Sequence, residues 1–177
     1  YCNRYLIRRK RKILIKSIFS DFREISSKKT SYALLSCGSF PINARPGSTA
    51  TCVLCARLKT LRLLGGFSHQ LRRFEDLDIA VRAAINNISM ISTDSILLDQ
   101  YVTYGEEKKD SLKYELLLLE LNRNQLNKRQ YIFANNFIHF KNYCFSIMPL
   151  LIVKYFIKLS LGNPIFFLKK LISSLRT

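Results

Sequence analysis

Apolar and polar positions change their period along the chain, and each change marks an element. Tyr5, Leu6 and Ile7 are separated from Ile13, Leu14 and Ile15 by the run Arg8-Arg9-Lys10-Arg11-Lys12, which predicts an edge strand or hairpin interrupted by a solvated basic turn. Ser26 to Ser31 reads as a polar, mobile connection and Gly38 to Pro46 as a Pro/Gly-punctuated loop. Thr49 to Leu54 carries β-branched and apolar residues suited to a central strand, and Arg57 to Leu64 reads as a short helix leading into Gly65-Gly66. Leu77, Val81 and Ala84 then recur at spacings of four and three with Ile85 beside them, so a helix starting near Glu75 has one apolar stripe. Ile88 to Ile91 and Ile96 to Tyr104 read as strands, ended by Gly105-Glu106-Glu107. Asp110 or Ser111 can cap a longer helix to about Arg129, with Leu112, Leu116, Leu119 and Leu126 inward and Lys113, Glu120 and Arg123 outward.

This order is mixed α/β, and 177 residues with 48% apolar content suffice for one folded unit with a core. No internal repeat or low-complexity tract is present. The five cysteines, Cys2, Cys37, Cys52, Cys55 and Cys144, form no paired zinc-knuckle spacing. In a strand-like run Cys52 and Cys55 would face opposite ways, so all five read as free thiols in a reducing compartment. His69 reads as a loop residue and His139 as structural.

Charge alters the picture most in the last third. The net charge is +17, and beyond Glu120 no acidic residue occurs while aromatic and aliphatic residues alternate with Lys141, Lys154, Lys158, Lys169, Lys170 and Arg176. The longest uncharged run of this region, Asn142 to Val153, is too short for the roughly 20 apolar residues that span a bilayer. Tyr143 to Leu159 and Pro164 to Leu175 instead fit helices lying in a membrane interface, lysines toward the headgroups, or helices folded back on the rest of the chain. Basic charge also admits nucleic acid, through Arg8 to Lys12 on phosphates and Tyr1, Tyr5 and Phe19 on bases. The absence of a helix-turn-helix, zinc-finger or RNP-type signal argues against it.

Acid is scarce, with 12 carboxylates against 29 cations, yet Glu75, Asp76 and Asp78 fall together after a stretch whose only acids are Asp21 and Glu24. Carboxylates in a first helical turn gain about 0.3–1 kcal/mol each from the helix dipole, so an ordinary acidic helix start is one reading. Gly65-Gly66, ten residues earlier and followed by Phe67, adds another: a side-chain-free turn near a carboxylate leaves room for a substrate hydroxyl to reach a base.

Pro46-Gly47-Ser48-Thr49, then Leu64-Gly65-Gly66-Phe67, then Arg73-Phe74-Glu75-Asp76-Leu77-Asp78 with Arg82 resembles, in order and spacing, the acceptor half of family 2 glycosyltransferases, which have the GT-A fold. The resemblance covers about residues 40 to 105. It implies an inverting transferase that moves a sugar from a nucleotide-sugar donor to a glycan or lipid-linked acceptor in cell-surface polysaccharide synthesis. It assigns Asp76 as the general base, Glu75 to positioning the base or acceptor, and Gly65 and Gly66 to the loop shaping the acceptor pocket. Tyr101, Thr103 and Gly105 fall where the family closes its active site, although a packing role suits Tyr101 better.

A positioned base contributes about 10²–10⁴-fold to such chemistry. Glu75 would raise the proton affinity of Asp76 and Arg72 and Arg73 would lower it, so the sign is left open. The family also implies a divalent metal, Mg or Mn, held by an Asp-x-Asp motif in a Rossmann-like donor half. No Asp-x-Asp precedes residue 76, and the metal ligands are expected mostly outside this chain. The expected organisation is therefore a partial GT-A catalytic domain with a mixed sheet over residues 1–129 and a basic amphipathic helical tail over 130–177. The piece is expected to derive from a longer cytoplasmic enzyme peripheral to the inner face of the membrane. The alternative is an inactive remnant or a basic binding module for anionic membrane or nucleic acid.

Overall fold

The structure is a computed structural model that describes residues 1–8, 11–17, 27–35, 49–101, 110–165 and 167–168. Its elements in chain order are β1 (Cys2–Arg8), β2 (Arg11–Ile15), α1 (Ser27–Leu35), α2 (Leu58–Leu63), α3 (Glu75–Ile85), β3 (Thr93–Tyr101), α4 (Ser111–Leu121), α5 (Lys128–Phe145) and α6 (Pro149–Gly162). The class is mixed α/β. One three-stranded sheet has the order β2-β1-β3, with β1 antiparallel to β2 and parallel to β3.

The expected basic hairpin forms, with Arg4 opposite Ile15 and Arg8 opposite Arg11. Its first strand is central, however, and of the two hairpin strands only β2 lies at an edge of the sheet. The register of β1 against β3 shifts on both sides of Asn3, and this buried side chain satisfies the interrupted ladder. Its Oδ1 accepts from Ser17 N–H at 2.8 Å and its Nδ2 donates to the Asp94 carbonyl at 3.0 Å.

The main core gathers Leu34 and Leu35 of α1, Ala80 and Val81 of α3, Leu118 and Leu119 of α4, and Ala134 and Ile138 of α5. The opposite side of α3 buries Ile79 and Ala83 against Leu64, and a third cluster joins Phe133 and Phe137 of α5 to Leu159 and Phe167. The predicted stripe of α3 thus packs as its spacing requires, and small alanines let neighbouring helices approach on both sides.

Several expectations are corrected. Polar Ser27 to Ser31 belongs to α1, with Thr30 and Ser31 buried. Thr49 to Leu54 holds a single 3-10 turn, Thr51–Val53, closed by Val53 N–H to the Ala50 carbonyl and Leu54 N–H to the Thr51 carbonyl at 3.1 and 3.0 Å. β-Branched residues favour strands only where a ladder partner exists. Ile88 to Ile91 is not a strand because Asn87, at φ 54°, ends α3 left-handed and Ile88 N–H returns to the Ala83 carbonyl at 2.9 Å.

The helix expected to reach Arg129 stops at Leu121, where the Asn122 side chain donates to the Leu118 carbonyl at 3.0 Å. α5 restarts at a capping box: Asn127 Oδ1 accepts from Gln130 N–H at 2.9 Å, and Asn127 N–H donates to Gln130 Oε1 at 3.0 Å. The segment Tyr143 to Leu159 is broken at Ser146 to Met148, with Ile147 at φ 52° and Pro149 opening α6. Gly38 to Pro46, Thr103 and Gly105-Glu106-Glu107 lie outside the described residues. Among the described residues no helix is long and apolar enough to cross a membrane.

Candidate functional site

α2 ends because two consecutive glycines take the left-handed conformation, Gly65 at φ 80° and Gly66 at φ 71°. Gly65 N–H donates to the Arg62 carbonyl at 3.0 Å and Gly66 N–H to the Leu61 carbonyl at 2.9 Å, the paired bonds of a Schellman cap. The carbonyls of this turn face α3. Arg82 Nη2 donates to the Gly66 carbonyl at 2.8 Å, Nη1 donates to the Leu64 carbonyl, and Nε donates to Asp78 Oδ2 at 2.9 Å. Asp78 is buried and lies one helical turn before Arg82, so a carboxylate–guanidinium fork fastens the glycine turn to α3.

Asp76 lies two positions from Asp78, on the other side of the helix. The residue before α3, Phe74, is left-handed at φ 63° and supplies no side-chain cap. Asp76 Oδ1 accepts from Leu77 N–H at 2.7 Å. Burial raises its proton affinity most. The Leu77 N–H opposes this, Glu75 adds to it and Arg4 opposes it, with a net shift upward from the ordinary 3.8. Arg4 of β1 and Tyr1, just before that strand, therefore feel this carboxylate. The Tyr1 phenol is pushed up to about 12 by burial and by Asp76. Arg4 is 8% exposed; its Nε donates to Gln100 Oε1 at 2.6 Å, and its Nη1 is buried without a hydrogen-bond partner.

The structure thus brings Glu75 and Asp76 together at the start of α3, near Tyr1 and Arg4. It sets Gly65 and Gly66 against Asp78 and Arg82, on the side away from Asp76. Phe67 and His69 are exposed, and Tyr101, expected to pack, is 71% exposed at the end of β3. Tyr1 and Arg4 carry no signal in the sequence, because nothing in the alternation of β1 marks Arg4 as buried. Arg82 was legible as the cation four residues after Asp78.

A half-buried carboxylate with raised proton affinity, beside a phenol that stays protonated and a guanidinium with an unused donor, can accept a proton and orient an anionic or hydroxylic ligand. It does not suit a divalent cation. Mg²⁺ prefers several oxygen ligands, whereas Asp76 has a cationic neighbour and Asp78 is occupied by Arg82. Among the described residues no three His, Cys, Asp or Glu side chains are placed to hold a metal ion. Cys2 is buried, while Cys52, Cys55 and Cys144 are exposed, and all four are free thiols. His139 stacks against both Tyr143 and Tyr155, at 5.7 and 4.9 Å between ring centroids, in a cluster where burial and the Lys158 and Lys154 charges lower its pKa.

Two clefts open away from Asp76. One of about 620 Å³ lies at the α4–α5 turn beside Glu120, Arg123 and Tyr131, and one of about 170 Å³ lies between α5 and α6 beside Arg129, Phe133 and Lys158. No family model, curated protein or solved structure matches the chain.

Proposed function

We propose that this chain is the acceptor-side part of an inverting glycosyltransferase of the GT-A type, resembling family 2, with Asp76 as the general base. The observation that carries the reading is the state of the Asp76 carboxylate. It is half-buried, holds one backbone N–H bond from Leu77, and has its proton affinity raised by burial and by Glu75. In the reaction the acceptor hydroxyl oxygen bonds to the anomeric carbon of the donor sugar as the bond from that carbon to the nucleoside diphosphate breaks, and the hydroxyl proton passes to Asp76. A carboxylate with raised pKa is the stronger base at neutral pH.

Glu75 adjoins the base and orients the acceptor. Gly65 and Gly66 contribute through the turn that Arg82 fastens to α3. The acceptor is a glycan or lipid-linked sugar, and the site of action is the cytoplasmic face of a membrane. No step is assigned to a metal, since the described carboxylates do not form a site for one.

The test is release of nucleoside diphosphate by the protein carrying this chain, across nucleotide-sugar donors and glycan or lipid-linked acceptors. Acceptor-dependent release with inversion at the anomeric carbon supports the reading. Absence of sugar transfer with every donor and acceptor class overturns it.

A further inference from the structure

The two faces of α6 are of opposite kinds. Ile152, Tyr155 and Leu159, spaced three and four apart, turn toward the rest of the chain; Leu159 is fully buried with Phe133, Phe137 and Phe167. Leu150, Val153, Ile157 and Leu161, spaced three, four and four, form one apolar stripe on the other side, and all are exposed, Leu150 at 86% and Leu161 at 81%. Ile147 continues the exposure just before the helix, at 83%.

Exposed Lys154 and Lys158 border this stripe on one flank, both near the Tyr155 ring, at 5.9 and 5.1 Å from its centroid. Beyond Lys158 the cleft between α5 and α6 adds Arg129 above an apolar wall of Ile132, Phe133 and Leu159. With no acidic residue after Glu120, nothing in this part of the sequence opposes that charge.

A continuous aliphatic stripe with cations along one border matches the boundary between acyl chains and anionic headgroups. We propose that α6 lies flat on an anionic bilayer, its Leu150–Val153–Ile157–Leu161 stripe among the acyl chains, with Lys154, Lys158 and Arg129 on lipid phosphates. At 14 residues α6 is too short to span a bilayer, so it binds in the plane of the surface. This surface stands on observations separate from Asp76, and its test needs no sugar transfer.

The chain contains no Trp, so a single introduced indole reports one position. Ile157→Trp is mixed with phosphatidylcholine vesicles containing phosphatidylglycerol, with bromine on the acyl chains; Leu97→Trp, on exposed β3, is the comparator. The expected result is a blue shift and quenching for the probe at 157 and neither for the probe at 97. Leu150→Ser with Leu161→Ser is expected to lower vesicle partition about tenfold or more. Lys154→Gln with Lys158→Gln is expected to remove the preference for phosphatidylglycerol over phosphatidylcholine alone. Co-sedimentation without acyl-chain quenching at 157 would mean attraction by net charge only and would overturn the proposal. So would equal quenching at both positions, or a blue shift without vesicles that follows self-association.

Discussion

Arg82 Nε donates to Asp78 Oδ2 at 2.9 Å, and the rest of the same guanidinium holds two carbonyls of the glycine turn. The sequence motif around Gly65-Gly66 and Asp78 is therefore a structural unit in its own right, with α3 as its anchor. Arg82→Ala leaves a buried carboxylate and two carbonyls without their partner, and is expected to cost about 3 kcal/mol. Arg82→Lys is expected to recover less than half of that, because an ammonium cannot reproduce the fork. Urea unfolding midpoints measure both. A loss below about 0.5 kcal/mol for Arg82→Ala, the range of an ordinary surface substitution, would contradict this arrangement.

Gly66→Ala separates backbone strain from packing. A Cβ at Gly66 would meet nothing within 4 Å, but φ is +71°, so the expected loss is about 1 kcal/mol from conformation alone. Gly66→Asn is expected to lose less, since Asn tolerates the left-handed region better. Equal losses for Ala and Asn in thermal unfolding would show that something other than φ sets the requirement.

These two positions also show what a single sequence discloses. The helices of Leu58 and Glu75 were legible because apolar spacing and terminal glycines are local signals; the Glu75 helix packs as its stripe requires, whereas the Leu58 helix buries none of its residues fully. The pairing of β1 with β3 was hidden, because its partners are some 90 residues apart and no local pattern encodes which strand becomes central. Asn127-x-x-Gln130 was a readable capping signal, outweighed by the leucine periodicity running up to it. At the candidate site, Glu75 and Asp76 stood out by the scarcity of acid elsewhere. That Asp76 shares its surroundings with Tyr1 and Arg4, while the glycines face Asp78, depends on how the sheet meets α3.

Asp76 gives a pH signature in stability. Its folded pKa lies above the ordinary 3.8, so the folded chain keeps a proton that the unfolded chain has released, and stability falls as pH rises through that interval. Asp76→Asn removes the effect. The variant is expected to be the more stable at neutral pH, with its advantage disappearing below about 3.8. Chemical denaturation across pH measures this, and a pH-independent difference would contradict the burial of the carboxylate.

His139 gives the opposite slope. Its folded pKa lies below the ordinary 6.5 because burial and the two lysines disfavour the imidazolium. The unfolded chain therefore takes up the proton first, and stability is lost as pH falls from about 6.5 toward the folded value. His139→Phe keeps a ring against Tyr143 and Tyr155 and is expected to flatten the profile over that range. An unchanged profile would place the acid sensitivity elsewhere.

Turnover of the Asp76→Asn variant bears most directly on the transferase reading. Sugar transfer is measured for wild type and variant at equal folded fraction, set from their unfolding curves, with Asp78→Asn as the comparator for structural damage. Asp76→Asn is expected to lose about 10²-fold or more in kcat. Asp78→Asn is expected to act mainly through stability. Near-native turnover by folded Asp76→Asn would contradict the assignment of the base.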